Sequence, residues 1–222
     1  MFDRIAHRYD LLNRVLSLGM DGGWRRRAVA ALALTPGSEA LDVATGTADV
    51  ALRIAHAHPA VRVTGIDPSP AMLAIGQRKL VQARVTDRVT LLPGDCERLP
   101  FADHRFDGAI IAFGIRNVPD RACGLRELAR VTKPGRPVVI LELAEPRAGM
   151  LGSAARLYVH QVVPRVGAWL SGAQEYRYLQ QSVAAFPPAA QFAQLMTANG
   201  FHVRVARSLG FGACTLYVGI VQ

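Results

Sequence analysis

The stretch LDVATGTADV, residues 41–50, decides the fold. It closes an apolar run, EALDVA (39–44), and opens a helical pattern, TADVALRIAHAH (47–58). A strand that passes into a helix through small residues is the opening unit of a doubly wound parallel sheet. Ligands in such sheets bind at the carboxyl ends of the strands, so the same stretch is also the first place to look for a site.

The pattern repeats outward from there. VRVTGID (61–67), RVTLLPGD (88–95), FDGAIIAFG (106–114) and PVVILELAEP (137–146) are short apolar runs without strict alternation. Strands covered on both faces read this way. Between them, SPAMLAIGQRKLVQARV (69–85) and DRACGLRELARVTKPG (120–135) have helical spacing, and Lys-Pro-Gly stops the second. Alternating strands and helices predict an α/β chain with a doubly wound, mostly parallel sheet. Two regions break the alternation. Residues 1–36 read as N-terminal helices and residues 147–185 as a helical insertion. After the insertion, PAAQFAQLMTANGF (188–201) reads as a helix, and HVRVARSL (202–209) and ACTLYVGIVQ (213–222) as a closing strand pair around Gly210-Phe211-Gly212.

The bulk numbers suit one domain over residues 1–222: half of the residues are hydrophobic and 19% are charged. The net charge is +9, carried almost wholly by arginine, with Lys79 and Lys133 the only lysines. These cations are scattered and have few aromatics among them, which argues against nucleic acid as partner and leaves an anionic membrane surface as the one suited to them. Cys96, Cys123 and Cys214 have no metal-ligand or disulfide spacing. No metal is expected. No run has the length of a spanning helix, and the N-terminus lacks an apolar signal core, so the expected location is cytoplasmic, with peripheral contact at the inner face of a membrane.

The ligand is read from the acids. Gly46 is the only glycine of the first loop, and Asp49 stands where the next helix begins. A pyrophosphate placed there would meet a like charge. Asp67, about 20 residues on, suits the two hydroxyls of a ribose. Asp95 and the Cys96 backbone, in GDCERLPF (94–101), can clamp an adenine by accepting from its amine and donating to a ring nitrogen. With Asp42, these acids favour S-adenosylmethionine, which carries an ammonium and a sulfonium, over a dinucleotide. The other reading makes Asp42 and Asp49 loop-shaping caps only. Cys96 reads as a packing residue, since no histidine lies near it in sequence.

AFGIRNVPD (112–120) follows the fourth strand. Gly114 allows close approach of backbone, and Phe113 can stack on a ring. Arg116 and Asn117 can meet a developing oxyanion, or Arg116 can form a structural salt bridge while Asn117 caps the helix near Asp120.

LDVATGTADVAL, GDCERLPFADHRFD, AFGIRNVPDR and EYRYLQQSVAAFP, with the opening FDRIAHRYDLLNRVLSLGMDGGWR, resemble the class I methyltransferases of the UbiE/MenG family, which C-methylate the quinol ring in menaquinone and ubiquinone biosynthesis. The resemblance spans almost the whole chain. It implies a seven-stranded sheet with an antiparallel last strand, S-adenosylmethionine as methyl donor, and a prenylated quinol as acceptor, demethylmenaquinol first. It places Gly46, Thr47 and Asp49 in the first loop, Asp67 at the ribose, Asp95 and Cys96 at the adenine, and Ala112 at the end of the fourth strand. It makes Arg116 and Asn117 the acceptor-facing pair. Tyr9 becomes the preferred residue of an N-terminal lid (1–36), the insertion a cover for the prenyl tail, and a homodimer an option; the general base stays unassigned. Two other readings stand beside it: a methyltransferase for another phenol or lipid, and a non-catalytic donor-binding subunit of a quinone-making complex. One departure matters. The family loop usually reads Gly-Thr-Gly-Asp, and here it is Gly46-Thr47-Ala48-Asp49. If that position takes positive φ, alanine costs of order 1 kcal/mol and a looser hold on the cofactor is expected.

Overall fold

In the computed structural model, residue 17, residues 19–144 and residues 173–222 are described. Seven strands form one sheet: β1 (Glu39–Val43), β2 (Arg62–Asp67), β3 (Val89–Pro93), β4 (Gly108–Ala112), β5 (Pro137–Leu143), β6 (Phe201–Leu209) and β7 (Cys214–Val221). Their order is β3-β2-β1-β4-β5-β7-β6. Pairings among β1 to β5 are parallel, and β7 runs antiparallel to both β5 and β6. The chain therefore has the expected α/β sheet with its antiparallel last strand.

The helices are α1 (Asp21–Ala31), α2 (Asp49–Ala57), α3 (Pro70–Ala83), α4 (Arg121–Val131), α5 (Ala173–Ala184) and α6 (Ala189–Ala198). Along β5, Val139 and Leu141 face a core shared with α1, α2 and α3, while Val138 and Ile140 face one shared with α4 and α6. This period of two, apolar on both sides, is why the strand reads as one apolar run. Helix starts follow local chemistry. Ser69 accepts from the Met72 N–H with Pro70 at the first helical position, and Asp120 accepts from the Cys123 N–H. Asp120, not Asn117, is thus the cap of α4, which leaves Asn117 out of that role.

Val43, Asp67, Pro93 and Ala112 end their strands along one edge. The order reverses between β1 and β4, and a crevice opens there. The Thr45 N–H crosses to the Ile66 carbonyl at 3.0 Å and carries the first loop over the end of β2. Three residues around this crevice that are not glycine adopt left-handed backbone: Ala44 (φ 52°), Ala48 (φ 65°) and Phe113 (φ 60°). Such strain costs about 1–2 kcal/mol per residue and gathers where a surrounding structure enforces it. The condition attached to Ala48 in the sequence is therefore met.

Ala48 also buries its methyl group fully, against the place where Gly76 of α3 lacks a side chain. Ala48→Gly would relieve about 1 kcal/mol of strain and lose about 0.8 kcal/mol of buried methyl. Denaturant unfolding should therefore show a stability change within about 0.5 kcal/mol. A larger gain would mean that strain outweighs the contact.

Candidate functional site

Asp67 anchors the site. The residue is 7% exposed. Oδ2 accepts from the Gly46 N–H at 2.8 Å and Oδ1 from the Ser69 N–H at 2.9 Å. One side chain thus ties the first loop to the start of α3. The cleft above it is lined on one side by Gly46, Asp67, Gly94, Asp95 and Cys96, and on the other by Phe113, Gly114 and Asn117. Asp95 accepts from the Glu97 N–H through Oδ1 at 2.9 Å, an Asx turn that sets the carboxylate at the rim. Burial, with the Asp95 and Glu97 charges behind it, raises the Cys96 thiol to about 12. Cys96 is therefore no nucleophile at ordinary pH, as its sequence context suggested.

A smaller cavity shares Ala44 and Gly46 with the cleft and is lined by Arg25, Asp42, Thr47, Asp49 and Ala112. All seven residues read as cofactor-binding therefore line one cavity or the other. Gly46 has φ +55°, and a Cβ there would meet nothing within 4 Å, so its bare backbone keeps the junction open. The donor set fits an adenosyl amino acid. Asp67 and Asp95 offer acceptors for hydroxyl and amine groups, while Arg25 and Asp49 on the smaller cavity are already paired, with Asp21 and Lys79.

Arg25 was legible in the sequence only as part of a basic run. Here it is buried on α1, paired with Asp21 one turn earlier, and its guanidinium lies over the Phe113 ring at 5.2 Å. Trp24 packs on the same ring at 6.5 Å between centroids. Phe113 is thus held by α1 where the sequence suggested a stacking partner for a ligand.

The electrostatic reading of the loop needs correction at two acids. Asp49 forms an ion pair with Lys79 at 2.6 Å, and Lys79 also donates to Thr47 Oγ1 at 2.9 Å. Asp42 is 1% exposed and accepts from the Thr45 hydroxyl (2.6 Å) and the Ala51 N–H (3.0 Å), both through Oδ2. It braces the loop, as the alternative reading had it. Desolvation by burial raises its carboxyl from 3.8 to about 7, against the two hydrogen bonds that favour the charged form. The unopposed negative charge at the loop is smaller than four aspartates suggest.

Arg116 also departs from the expectation of a guanidinium facing the acceptor. It is 8% exposed and is not among the residues lining the cleft. Its Nη1 donates to Glu142 Oε1 at 2.7 Å and to the Phe113 carbonyl at 2.5 Å. Its backbone N–H donates to Glu142 Oε2 at 3.1 Å. Glu142 is fully buried on β5. A charged residue inside an apolar strand demands a cation, and Glu142 in PVVILELAEP was the signal that could have identified this pair. Asn117, by contrast, does line the cleft, and it accepts from the Tyr178 hydroxyl at 3.2 Å. Gly114 seats the turn against the first loop: a Cβ there would stand 2.6 Å from the Ala44 Cβ. Tyr9 and most of the insertion lie outside the described residues. Among the described residues there is no cluster of metal-ligating side chains and no helix long and apolar enough to cross a membrane.

Residues 1–221 match the model of the ubiE/COQ5 methyltransferase family. The chain is 49% identical over 220 residues to the ubiquinone/menaquinone biosynthesis C-methyltransferase UbiE of Syntrophotalea carbinolica, covering 99% of this chain and 92% of that protein. It is 47% identical over 221 residues to the demethylmenaquinone methyltransferase of Deinococcus radiodurans, covering 99% and 90%. Among solved structures, a chain of the complex between the Haloferax volcanii Trm112 methyltransferase activator and a methyltransferase has a TM-score of 0.72 at 20% identity, covering 100% of this chain and 97% of that one. A SAM-dependent methyltransferase from Aquifex aeolicus has a TM-score of 0.66 at 16% identity, covering 89% of each. These two likenesses show the shared fold.

The raised Asp42 carboxyl has a sign that can be checked. Its folded pKa lies above its unfolded one, so the native state keeps the proton longer. Its contribution to stability is complete below about pH 4, falls as pH rises to about 7, and levels beyond. Asp42→Asn keeps one acceptor oxygen for Thr45 and Ala51 and cannot ionise. Unfolding midpoints measured from pH 4 to 8 should fall less steeply with pH in this variant than in wild type. Parallel slopes would mean that Asp42 is ionised throughout.

Proposed function

The chain belongs to the ubiE/COQ5 methyltransferase family, and from that premise we propose that it C-methylates a prenylated quinol ring with S-adenosylmethionine, demethylmenaquinol being the first acceptor. The observation that carries this reading is that one cleft joins Asp67 and Asp95, at the ends of β2 and β3, to the Phe113–Asn117 turn after β4. In this reading the adenosyl group lies by Asp67, Asp95 and Cys96, and the amino-acid end points toward the first loop, where Arg25 and Asp49 line the smaller cavity. When bound, S-adenosylmethionine supplies an electrophilic methyl group.

The chain's own task is to make a ring carbon nucleophilic. A phenol with pKa about 10 is mostly protonated at neutral pH, so the site must favour the phenolate. The Arg116–Glu142 pair is neutral as a unit and holds the turn instead of charging the cleft. The Asn117 amide is the donor within the cleft that can meet the oxyanion. Gly114 and the strained Phe113 set where that amide stands.

A prenyl tail brings the acceptor from a bilayer. The turn between β6 and β7 lies beside the carboxyl end of β5, at the same sheet edge as the cleft. Phe211 on that turn is 62% exposed, and the exposed Arg26 and Arg27 line a surface hollow with Gly210. Peripheral contact through this face is part of the proposal. Co-sedimentation with anionic vesicles, and its loss on Phe211→Ser with Arg26→Glu and Arg27→Glu, checks it; binding unchanged in that variant would place the contact elsewhere.

The activity itself is tested with methyl-labelled S-adenosylmethionine and reduced short-chain demethylmenaquinol, beside a benzoquinol and a simple phenol. Label should appear on a ring carbon of the naphthoquinol. Asn117→Ala should lower kcat by about 100-fold, the scale of one oxyanion donor, and leave donor binding unchanged. Donor binding without transfer to any acceptor would point to a binding subunit. Transfer to the phenol alone would point to another small molecule.

A further inference from the structure

Asn117 is held from outside the turn that carries it. The Tyr178 hydroxyl, on α5, donates to Asn117 Oδ1 at 3.2 Å. A second tie lies eight residues on. The Arg121 guanidinium sits over the Phe186 ring at 5.5 Å, and its Nη2 donates to the Arg116 carbonyl at 3.1 Å. Phe186 is itself buried against Phe192 of α6, with ring centroids 4.8 Å apart. The segment from Tyr178 to Phe186 is thus clasped to the Ile115–Asn117 turn at both ends, one end at the cleft rim and the other in the core.

The two ties differ in kind. Phe186 and Arg121 fix where the segment lies. Tyr178 touches the one polar side chain of the turn that lines the cleft. A side-chain amide has an acceptor at one end and two donors at the other. With Oδ1 turned onto the phenolic hydroxyl, as in this structure, the NH2 is the end presented to a ligand. An amide free to flip would offer an acceptor oxygen to an anionic acceptor about as readily, and an oxyanion is repelled by it.

We propose that Tyr178 is a positioning residue for methyl transfer: through its hydroxyl it fixes the Asn117 amide so that the NH2 faces the acceptor oxygen. This rests on the reading of Asn117 as the oxyanion donor. It assigns a role to Tyr178 within EYRYLQQSVAAFP (175–187), which in the sequence carries only the family resemblance. Tyr178 is 37% exposed, at the rim, and the bond stands without any acceptor bound.

The test uses the full chain and four proteins: wild type, Tyr178→Phe, Asn117→Ala and the double variant. Tyr178→Phe keeps the ring and removes only the hydroxyl. With labelled donor and reduced short-chain demethylmenaquinol, kcat of Tyr178→Phe should fall about three- to ten-fold, the scale of one neutral hydrogen bond. The donor Kd and the thermal midpoint should stay at wild-type values. The double variant should be no slower than Asn117→Ala, since the hydroxyl acts only through the amide. Unchanged kcat in Tyr178→Phe, or losses that multiply in the double variant, would overturn the proposal while wild-type turnover keeps the functional reading intact. Wild-type protein that binds donor and methylates no quinol would overturn both.

Discussion

The buried pair of Arg116 and Glu142 is the constraint on which the acceptor side of the site depends. Glu142 has no exposure, and its two oxygens accept from the Arg116 side chain, the Arg116 backbone and the Leu143 N–H. Arg116 in turn reaches back to the Phe113 carbonyl. The Phe113 N–H donates to the Leu141 carbonyl of β5 at 2.7 Å. Four residues after β4 are thereby fastened to β5 by one carboxylate and one guanidinium. Removing one partner of such a pair leaves an uncompensated buried charge, at a cost of about 3–5 kcal/mol. Replacing both with apolar residues of like volume could keep the stability. It would lose the bond to Phe113 and the angle of the turn, so the pair is better understood as a device for shape than for stability.

The donor side is built on the same economy of groups. Asp67 holds Gly46 and Ser69, Asp42 holds Thr45 and Ala51, and Lys79 holds Thr47 and Asp49. Thr45, Gly46 and Thr47 are each fixed by a side chain from a different element. Ala44 and Phe113, left-handed residues just past β1 and β4, are pressed together through Gly114. Strain at both strand ends persists because the ion pair on one side and the aspartates on the other overdetermine the backbone. The two halves of the cleft therefore meet where Ala44 approaches Gly114.

The strands, the helices between them and the doubly wound sheet were legible because they depend on local pattern: apolar runs of strand length, helix starts near Ser69 and Asp120, and glycine at the first loop; the antiparallel end was implied by the family resemblance, and the order of strands came with the structure. The cleft-lining residues were legible for the same reason, since each stands one step past a strand end. What the local pattern does not carry is partnership. Arg116 and Glu142 are 26 residues apart, Asp49 and Lys79 are 30, and Tyr178 and Asn117 are 61. In the first two cases a charge counted as available for a ligand was already answered by a residue from another element. The single acid within PVVILEL shows where the chain betrays such a partnership in advance, because an apolar strand buried on both faces admits no unpaired carboxylate.

That correction changes the kind of catalysis the site can perform. With Asp49 answered by Lys79, and Arg116 by Glu142, the cleft holds less fixed charge than its residue types suggest. A free guanidinium at the acceptor would bind an oxyanion strongly in the ground state as well as in the transition state, which lowers KM without raising kcat. A neutral amide held at a set angle stabilises charge as it develops and needs little reorganisation. On the proposed reading the ion pair supplies the rigidity and the amide the dipole, and the separation of those two tasks between Arg116 and Asn117 is why two adjacent polar residues leave the core together.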